Sequence, residues 1–156
     1  MITRILIPFD FSENSLLALP FALDLAKRYE AELLLVHVVD PFYYVAAYAG
    51  PDPVRGAEIL RAEVRSAGNE LIKLAEPLRQ QGAKCRTLVK EGTAYIEIVN
   101  VARDEHVDMI VMATHGRTGV SRLLIGSVAE KVVRTSECPV LTVHGQATKK
   151  AVPTSA

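Results

Sequence analysis

Apolar and polar positions follow two different periods along the chain. Short aliphatic runs that end at proline or polar residues are typical of buried strands, and apolar positions three or four residues apart predict amphipathic helices. The predicted strands span residues 2–8, 32–39, 84–89, 108–113 and 139–143, and the predicted helices span 13–29, 58–81, 93–105 and 127–135. Strands that alternate with helices favour an α/β fold, a single-domain three-layer sandwich with a five-stranded, mainly parallel sheet and helices on both faces.

The first predicted helix contains a proline. Its apolar stripe consists of Leu16, Leu19, Leu23 and Ala26, and Ser12 precedes it as a suitable N-cap. We expect a kink at Pro20, because proline lacks the backbone donor that a helix interior requires.

Two segments have no clear period. Residues 42–55 contain three tyrosines, a glycine and two prolines, and they predict a long loop. A loop of this length in a compact domain is usually functional or mobile. Residues 145–156 are small and polar, and they predict a flexible C-terminal tail after a domain of residues 1–144.

Composition narrows the classes of function. Of the 156 residues 49% are hydrophobic, and 18 basic residues balance 18 acidic ones. A net charge of zero provides no broad cationic field, so we expect no nucleic acid and no membrane among the partners. Cys85 and Cys138 lie far apart and form no metal-ligand pair. They favour a reduced, cytoplasmic setting in which both are small apolar fillers.

Two motifs follow predicted strands at the places where such sheets bind ligands. In a doubly wound sheet the ligand lies outside the carboxyl ends of the strands, where the strand order reverses. If strands one and four flank that point, Pro8-Phe9-Asp10 and the segment that starts at Ala113 face one crevice. Asp10 has two possible roles, since it could bind a ribose hydroxyl or cap the first helix.

A glycine-bearing loop connects the fourth strand to the last helix. Gly116 and Gly119 permit positive φ, and Gly126 with Ser127 opens a helix whose free amides can bind an anion. Arg117 could offset phosphate charge. An ordinary loop with a serine cap remains the alternative.

The roles of several other side chains near these motifs stay open. His115 lies in the glycine loop, where it could contact a ligand. His37 lies among Leu and Val, where we expect a satisfied core histidine rather than a ligand. Tyr43, Tyr44 and Tyr48 could line a lid or pack locally.

Three blocks, ILIPFDFSENS, LLLVHVVDP and MATHGRTGVSRLLIGSVAEKVVRTSECPVLTV, resemble the universal stress protein family and occur in the family's order. The family's nucleotide motif has a glycine, two residues, a second glycine, nine residues, and then glycine followed by serine or threonine. Gly116, Gly126 and Ser127 match it, and Ala113 replaces the first glycine. The resemblance implies a Rossmann-like fold of the adenine-nucleotide alpha-hydrolase-like type and a stress-response regulator that binds ATP, accompanied by Mg²⁺.

The resemblance also implies residue roles. Members commonly dimerise through the last strand, here Val140, Leu141, Thr142 and Val143. The implied nucleotide site comprises Pro8, Phe9, Asp10, Val38, Met112, Ala113, His115, Gly116, Arg117, Gly126, Ser127 and Val128.

Two other functions remain open beside the ATP-binding regulator with an unidentified protein partner. Because Ala113 replaces the first glycine of the motif, the protein could instead be a dimeric interaction module that binds no nucleotide. A slow ATPase is the third alternative, although the sequence contains no clear base–nucleophile pair.

Overall fold

The computed structural model describes residues 1–44, 46–47, 52–114 and 125–144. Five parallel strands form one sheet in the order β3-β2-β1-β4-β5. The strands are β1 (Arg4–Pro8), β2 (Glu32–Val39), β3 (Cys85–Glu91), β4 (Met109–Ala113) and β5 (Val140–Val143). The predicted α/β fold is therefore confirmed. The predicted tail, residues 145–156, lies outside the described residues.

Helices cover both faces of the sheet, and the strand residues alternate between two cores. The helices are α1 (Glu13–Leu16), α2 (Ala18–Tyr29), α3 (Pro41–Tyr44), α4 (Pro53–Gln80), α5 (Ala94–Asp104) and α6 (Ser127–Thr135). Ile5 and Leu33 pack into the core that includes α2 and α4, whereas Leu6 and Leu34 pack into the core that includes α5 and α6. Because both faces are covered, the strands are continuous apolar runs.

The first predicted helix is two helices in the structure. The chain turns at Leu17, ahead of Pro20, so the proline lies in the first turn of α2, where a missing backbone donor costs little. The buried face of α2 is formed by Ala18, Ala22 and Ala26. Leu16 is 44% exposed, so the predicted leucine stripe is wrong at that position.

Part of the predicted loop is helical. Asp52 caps α4, because its Oδ1 accepts hydrogen bonds from the backbone N–H groups of Val54 and Arg55 at 2.9 and 3.2 Å. Pro53 occupies the first turn, where its fixed φ suits a helix. The helix therefore begins five residues before the predicted start at residue 58, and aspartate followed by proline was the signal for it.

Candidate nucleotide site at the sheet edge

A cavity of about 300 Å³ lies at the carboxyl ends of the central strands. The chain passes from β1 to β2 on one side, whereas β4 and β5 lie on the other side. The order therefore reverses between β1 and β4, which is the position expected for a ligand in such a sheet.

The structure brings together the two motifs that the sequence placed at this edge. Three residues implied by the resemblance, His115, Gly116 and Arg117, lie outside the described residues. The other nine all line the cavity: Pro8, Phe9, Asp10, Val38, Met112, Ala113, Gly126, Ser127 and Val128. Their roles toward a ligand stay predictions.

The floor of the cavity is apolar and includes residues that the sequence analysis missed. Val36, Ile98 and Ala129 are buried there beside Met112, with exposures of 5% or less. Ile98 and Ala94 belong to α5, an element that carries no recognisable ligand motif. The only sequence signal for them was the βαβ order, which places α5 and α6 on the same face of the sheet. Such a floor suits a flat apolar group.

Asp10 lines the cavity from the connection between β1 and α1. Its Oδ1 accepts hydrogen bonds from the Ser12 backbone N–H at 3.0 Å and from the Ser12 hydroxyl at 2.6 Å. Ser12 is the N-cap of α1, as predicted, since its hydroxyl oxygen accepts from the Ser15 N–H. Asp10 therefore orients the cap rather than being the cap, and its carboxylate remains part of the cavity wall.

The N-terminus of α6 lies at the same cavity. Gly126 is its N-cap, with extended backbone at φ −59° and ψ 147°, and as a glycine it has no side chain with which to cap the helix. Gly126 and Ser127 both line the cavity. A helix start concentrates backbone donors and the positive end of the helix dipole, which together favour an anion.

Thr114 and Gly126 join the two described ends of the glycine-bearing loop. The Gly126 N–H donates to the Thr114 carbonyl at 2.6 Å, and the Thr114 N–H donates to the Val143 carbonyl at 3.0 Å. The Thr114 hydroxyl also lies 2.8 Å from His144 Nδ1. These bonds attach the start of α6 to the end of β4, and they link both to β5.

Ala113 adopts the geometry of an ordinary strand residue. It pairs with Val143 in the parallel ladder between β4 and β5. Positive φ occurs among the described non-glycine residues only at Phe11, Glu30 and His106. The backbone at residue 113 therefore does not require glycine.

The aromatic segment after β2 packs locally in its described part. The rings of Tyr43 and Tyr44 form an edge-to-face pair with centroids 5.3 Å apart. The Tyr44 hydroxyl donates to Glu63 Oε1 on α4 at 2.7 Å. Neither ring lines the cavity, which favours local packing over a lid for these two residues. Tyr48 lies outside the described residues.

Comparison with known proteins identifies the family. Residues 1–144 match the sequence profile of the universal stress protein family. The chain belongs to this family. Universal stress protein MJ0531 of Methanocaldococcus jannaschii is 39% identical over 140 residues, which cover 90% of this chain and 81% of the relative.

Solved structures share the fold of this universal stress protein. The structure of MJ0577, also from Methanocaldococcus jannaschii, matches with a TM-score of 0.83 at 31% identity and covers 95% of this chain and 99% of that one. A universal stress protein in complex with cAMP matches with a TM-score of 0.62 at 23% identity, and the match covers 92% of this chain and 97% of that one. At that identity the second likeness shows the fold alone.

The described residues contain neither a candidate membrane span nor a candidate metal cluster. None of the described helices combines the length and the apolar character that crossing a bilayer requires. Within residues 1–44, 46–47, 52–114 and 125–144, no three or more histidine, cysteine or acidic side chains are grouped closely enough to hold a metal ion.

Proposed function

We propose that this universal stress protein binds ATP in the cavity between β1 and β4 and acts as a stress-response regulator in the cytoplasm. The observation that carries the proposal is the chemistry that meets in one cavity: an aspartate, an apolar floor and a helix N-terminus. A nucleoside triphosphate carries three matching groups, with ribose hydroxyls for the aspartate, an apolar base for the floor and phosphates for the helix N-terminus.

Each part of the nucleotide has a counterpart in the wall. The base would pack on Val36, Ile98 and Met112, and burial of its faces would supply the apolar part of the affinity. Ribose hydroxyls would donate to the Asp10 carboxylate. Phosphate oxygens would accept from the amides at Ser127 and Val128 in the first turn of α6, and Mg²⁺ would enter as the companion of the phosphates.

Regulation requires only that ATP bind one arrangement of the site more tightly than another. The start of α6 and the turn that carries Asp10 belong to different connections of the chain and both line the cavity, so a ligand that contacts both favours the arrangement that joins them. An unidentified protein partner would then distinguish the occupied form. A chemical step is not needed for this function.

Calorimetric titration of nucleotide-stripped protein with Mg·ATP tests the site. We expect micromolar binding by the wild type and a loss of about tenfold in Asp10→Asn, which removes a charge-assisted hydrogen bond. Asp24→Asn is the matched control, because Asp24 lies on the exposed surface of α2, paired with Arg28. We expect its affinity to stay within about twofold of the wild type.

The other outcomes select the other functions. An absence of binding by the wild type would contradict the proposal and favour the dimeric interaction module. Phosphate release above about 1 s⁻¹ in the same samples would favour an ATPase, since that rate is the lower edge of ordinary enzymes.

We also propose that two copies pair through β5. This strand is at the edge of the sheet, and Leu141 on it is 37% exposed. The carbonyls of Pro139 and Val143 accept from β4, so by the alternation of a parallel ladder Val140 and Thr142 direct their backbone groups away from the sheet. An edge strand with outward backbone groups can pair with a second copy.

Thr142→Pro tests this pairing, because it removes an outward donor and leaves the inward ladder intact. We expect a dimer for the wild type and a monomer for Thr142→Pro in light scattering coupled to size exclusion. Thr142→Val is the matched control, since it keeps both the shape and the backbone donor. A proline variant that remains a dimer would exclude β5 as the interface.

A further inference from the structure

The turn that carries Asp10 is supported from β2. This turn comprises residues 9–12, between the end of β1 and the start of α1. The Phe9 backbone N–H donates to the Val36 carbonyl at 2.7 Å, and His37 Nδ1 lies 2.7 Å from the Phe9 carbonyl oxygen. A carbonyl oxygen only accepts, so His37 Nδ1 carries the proton. Both backbone polar groups of Phe9 are therefore bonded to β2.

The residue after Asp10 also depends on His37. Phe11 has φ 61°, a left-handed conformation that costs a residue with a large side chain free energy and persists only where the surroundings maintain it. Its ring centroid lies 4.5 Å from the His37 ring and 6.2 Å from the Phe9 ring. His37 thus contacts the residues on both sides of Asp10.

Packing alone does not require a histidine at this position. His37 is 6% exposed in a strand whose other residues after Glu32 are leucine and valine, where an apolar side chain would avoid the cost of burying a polar ring. His37 also lines the cavity, as Asp10 does. The predicted core histidine is confirmed as buried and hydrogen-bonded, and its partner belongs to the candidate site.

We propose that His37 is a positioning residue of the nucleotide site, and that it acts through Asp10. Its Nδ1–H fixes the Phe9 carbonyl and its ring supports Phe11, so together these contacts set where the Asp10 carboxylate meets the ligand. This inference rests on the proposed ATP function and deepens it.

Two substitutions at His37 separate the hydrogen bond from the rest of the side chain. His37→Asn places an amide donor near the position of Nδ1, whereas His37→Leu keeps bulk and removes the donor. In calorimetric titrations with Mg·ATP and with adenosine, we expect His37→Leu to lose about tenfold in affinity for both ligands. We expect His37→Asn to stay within about threefold of the wild type for both.

A double-mutant cycle tests whether His37 acts through Asp10. If it does, adding His37→Leu to Asp10→Asn changes the affinity by less than about twofold, because the contact that His37 positions has already been removed. A merely structural role would reduce affinity equally in both backgrounds. Val39→Ala is the stability control, since Val39 is buried in β2 and does not line the cavity. It should lower the urea midpoint and leave the affinity unchanged.

The outcomes distinguish this inference from the proposed function. A wild type that binds no ATP removes both. If the wild type binds ATP, any of three results overturns the inference alone. His37→Leu could bind ATP as tightly as the wild type, or His37→Asn could bind as weakly as His37→Leu. The third result is that His37→Leu reduces affinity by its full factor even when Asp10→Asn is present. If His37→Leu does not fold, His37→Gln replaces it, because its amide reaches the Nε2 position and leaves the Phe9 carbonyl without its donor.

Discussion

At the scale of single residues, the two cysteines differ in how deeply they are buried. Cys85 is buried at the start of β3, and its carbonyl accepts two hydrogen bonds from Arg79. Desolvation by burial raises the pKa of its thiol from 9.0 to about 11, against the lowering effect of Arg79. Cys138 is only partly buried. Because the thiolate is the reactive form, the two residues should differ in reactivity.

We expect Cys138 to be alkylated first when native protein is treated with iodoacetamide at pH 8. A thiol with a pKa of about 11 has about a hundredfold less thiolate at that pH than one at 9.0, so Cys85 should react at least about a hundredfold more slowly than in unfolded protein. Mass spectrometry over time measures both sites, and a urea-unfolded sample is the control. Equal rates at Cys85 in the native and unfolded samples would contradict this.

Ala113 is the residue at which the sequence departs from the family motif. Its extended geometry in β4 means that glycine has no conformational advantage there. Only the volume of one methyl group could still affect a ligand.

Ala113→Gly should therefore lower the free energy of unfolding by about 0.5–1 kcal/mol, because glycine loses more backbone entropy on folding. We expect ATP affinity to change by less than about threefold. Urea unfolding and calorimetry measure the two effects. If glycine instead creates binding that the wild type lacks, the methyl group blocks the nucleotide and the interaction module becomes the better function.

At the scale of elements, helix ends show where local preference and tertiary structure disagree. Helix α2 ends at Tyr29, and its C-cap is Glu30, whose φ of 56° is left-handed and whose N–H donates to the Ala26 carbonyl. Glycine is the residue that adopts this conformation without a penalty from Cβ. The helix end is thus held by its hydrogen bond and by the strand that follows, in spite of the residue present.

We expect Glu30→Gly to raise the free energy of unfolding by about 0.5–1 kcal/mol, since it removes the left-handed penalty. Glu58→Gly is the matched control, because Glu58 is exposed within α4 and glycine should destabilise that helix by a similar amount. Urea denaturation of both variants measures the difference. A destabilising Glu30→Gly would show that the glutamate side chain contributes more than its backbone strain costs.

At the scale of the whole molecule, the sheet has different chemistry at the carboxyl ends of its strands, the carboxyl edge, and at their amino ends, the amino edge. The carboxyl edge holds the cavity, whereas the amino edge holds a network of ion pairs between Arg4, Glu32, Arg86 and Glu105. Arg86 lowers the pKa of Glu105 through its side-chain hydrogen bond. The amino edge thus joins β1, β2, β3 and the end of α5, and this attachment leaves the opposite edge available for a ligand.

Asp108 completes the amino edge. Its Oδ2 accepts from the Thr3 N–H at 2.7 Å, the Thr3 hydroxyl at 2.8 Å and the Arg4 N–H at 3.0 Å. These bonds, the Thr3 N–H first, hold the pKa of Asp108 below its ordinary value of 3.8. A depressed carboxyl pKa stabilises the fold above the unfolded-state pKa, and that stability is lost as pH falls through the folded-state pKa.

Asp108→Asn should therefore be less stable than the wild type at pH 7, by about 1 kcal/mol after allowance for solvent exposure. The difference should disappear below the lowered pKa, where the wild-type side chain is itself uncharged. Thermal unfolding from pH 7 to pH 2 measures this convergence. Asp104→Asn, at an exposed position, is the control without an expected effect, and a gap that stays constant with pH would exclude the electrostatic cause.

The local patterns of the chain determined the fold class and the location of the site. The apolar runs from Leu33 to Val36 and from Ile110 to Met112 identify strands covered on both faces, because only such strands need no polar alternation. Gly126-Ser127 marks a helix start by chemistry that is local to the chain. Pro8 and Asp10 end the first strand in the same way.

Only the tertiary structure decided which side chains share the cavity and what holds them. Ile98 on α5, Ala129 on α6 and the His37 contact with Phe9 depend on how helices cross a twisted sheet, and no local period encodes that arrangement. The break at Leu17 was likewise decided by packing, since an alanine face allows α2 to approach the sheet closely. Sequence acts through neighbours a few residues apart, whereas a site is assembled from residues that are distant along the chain and adjacent only after folding.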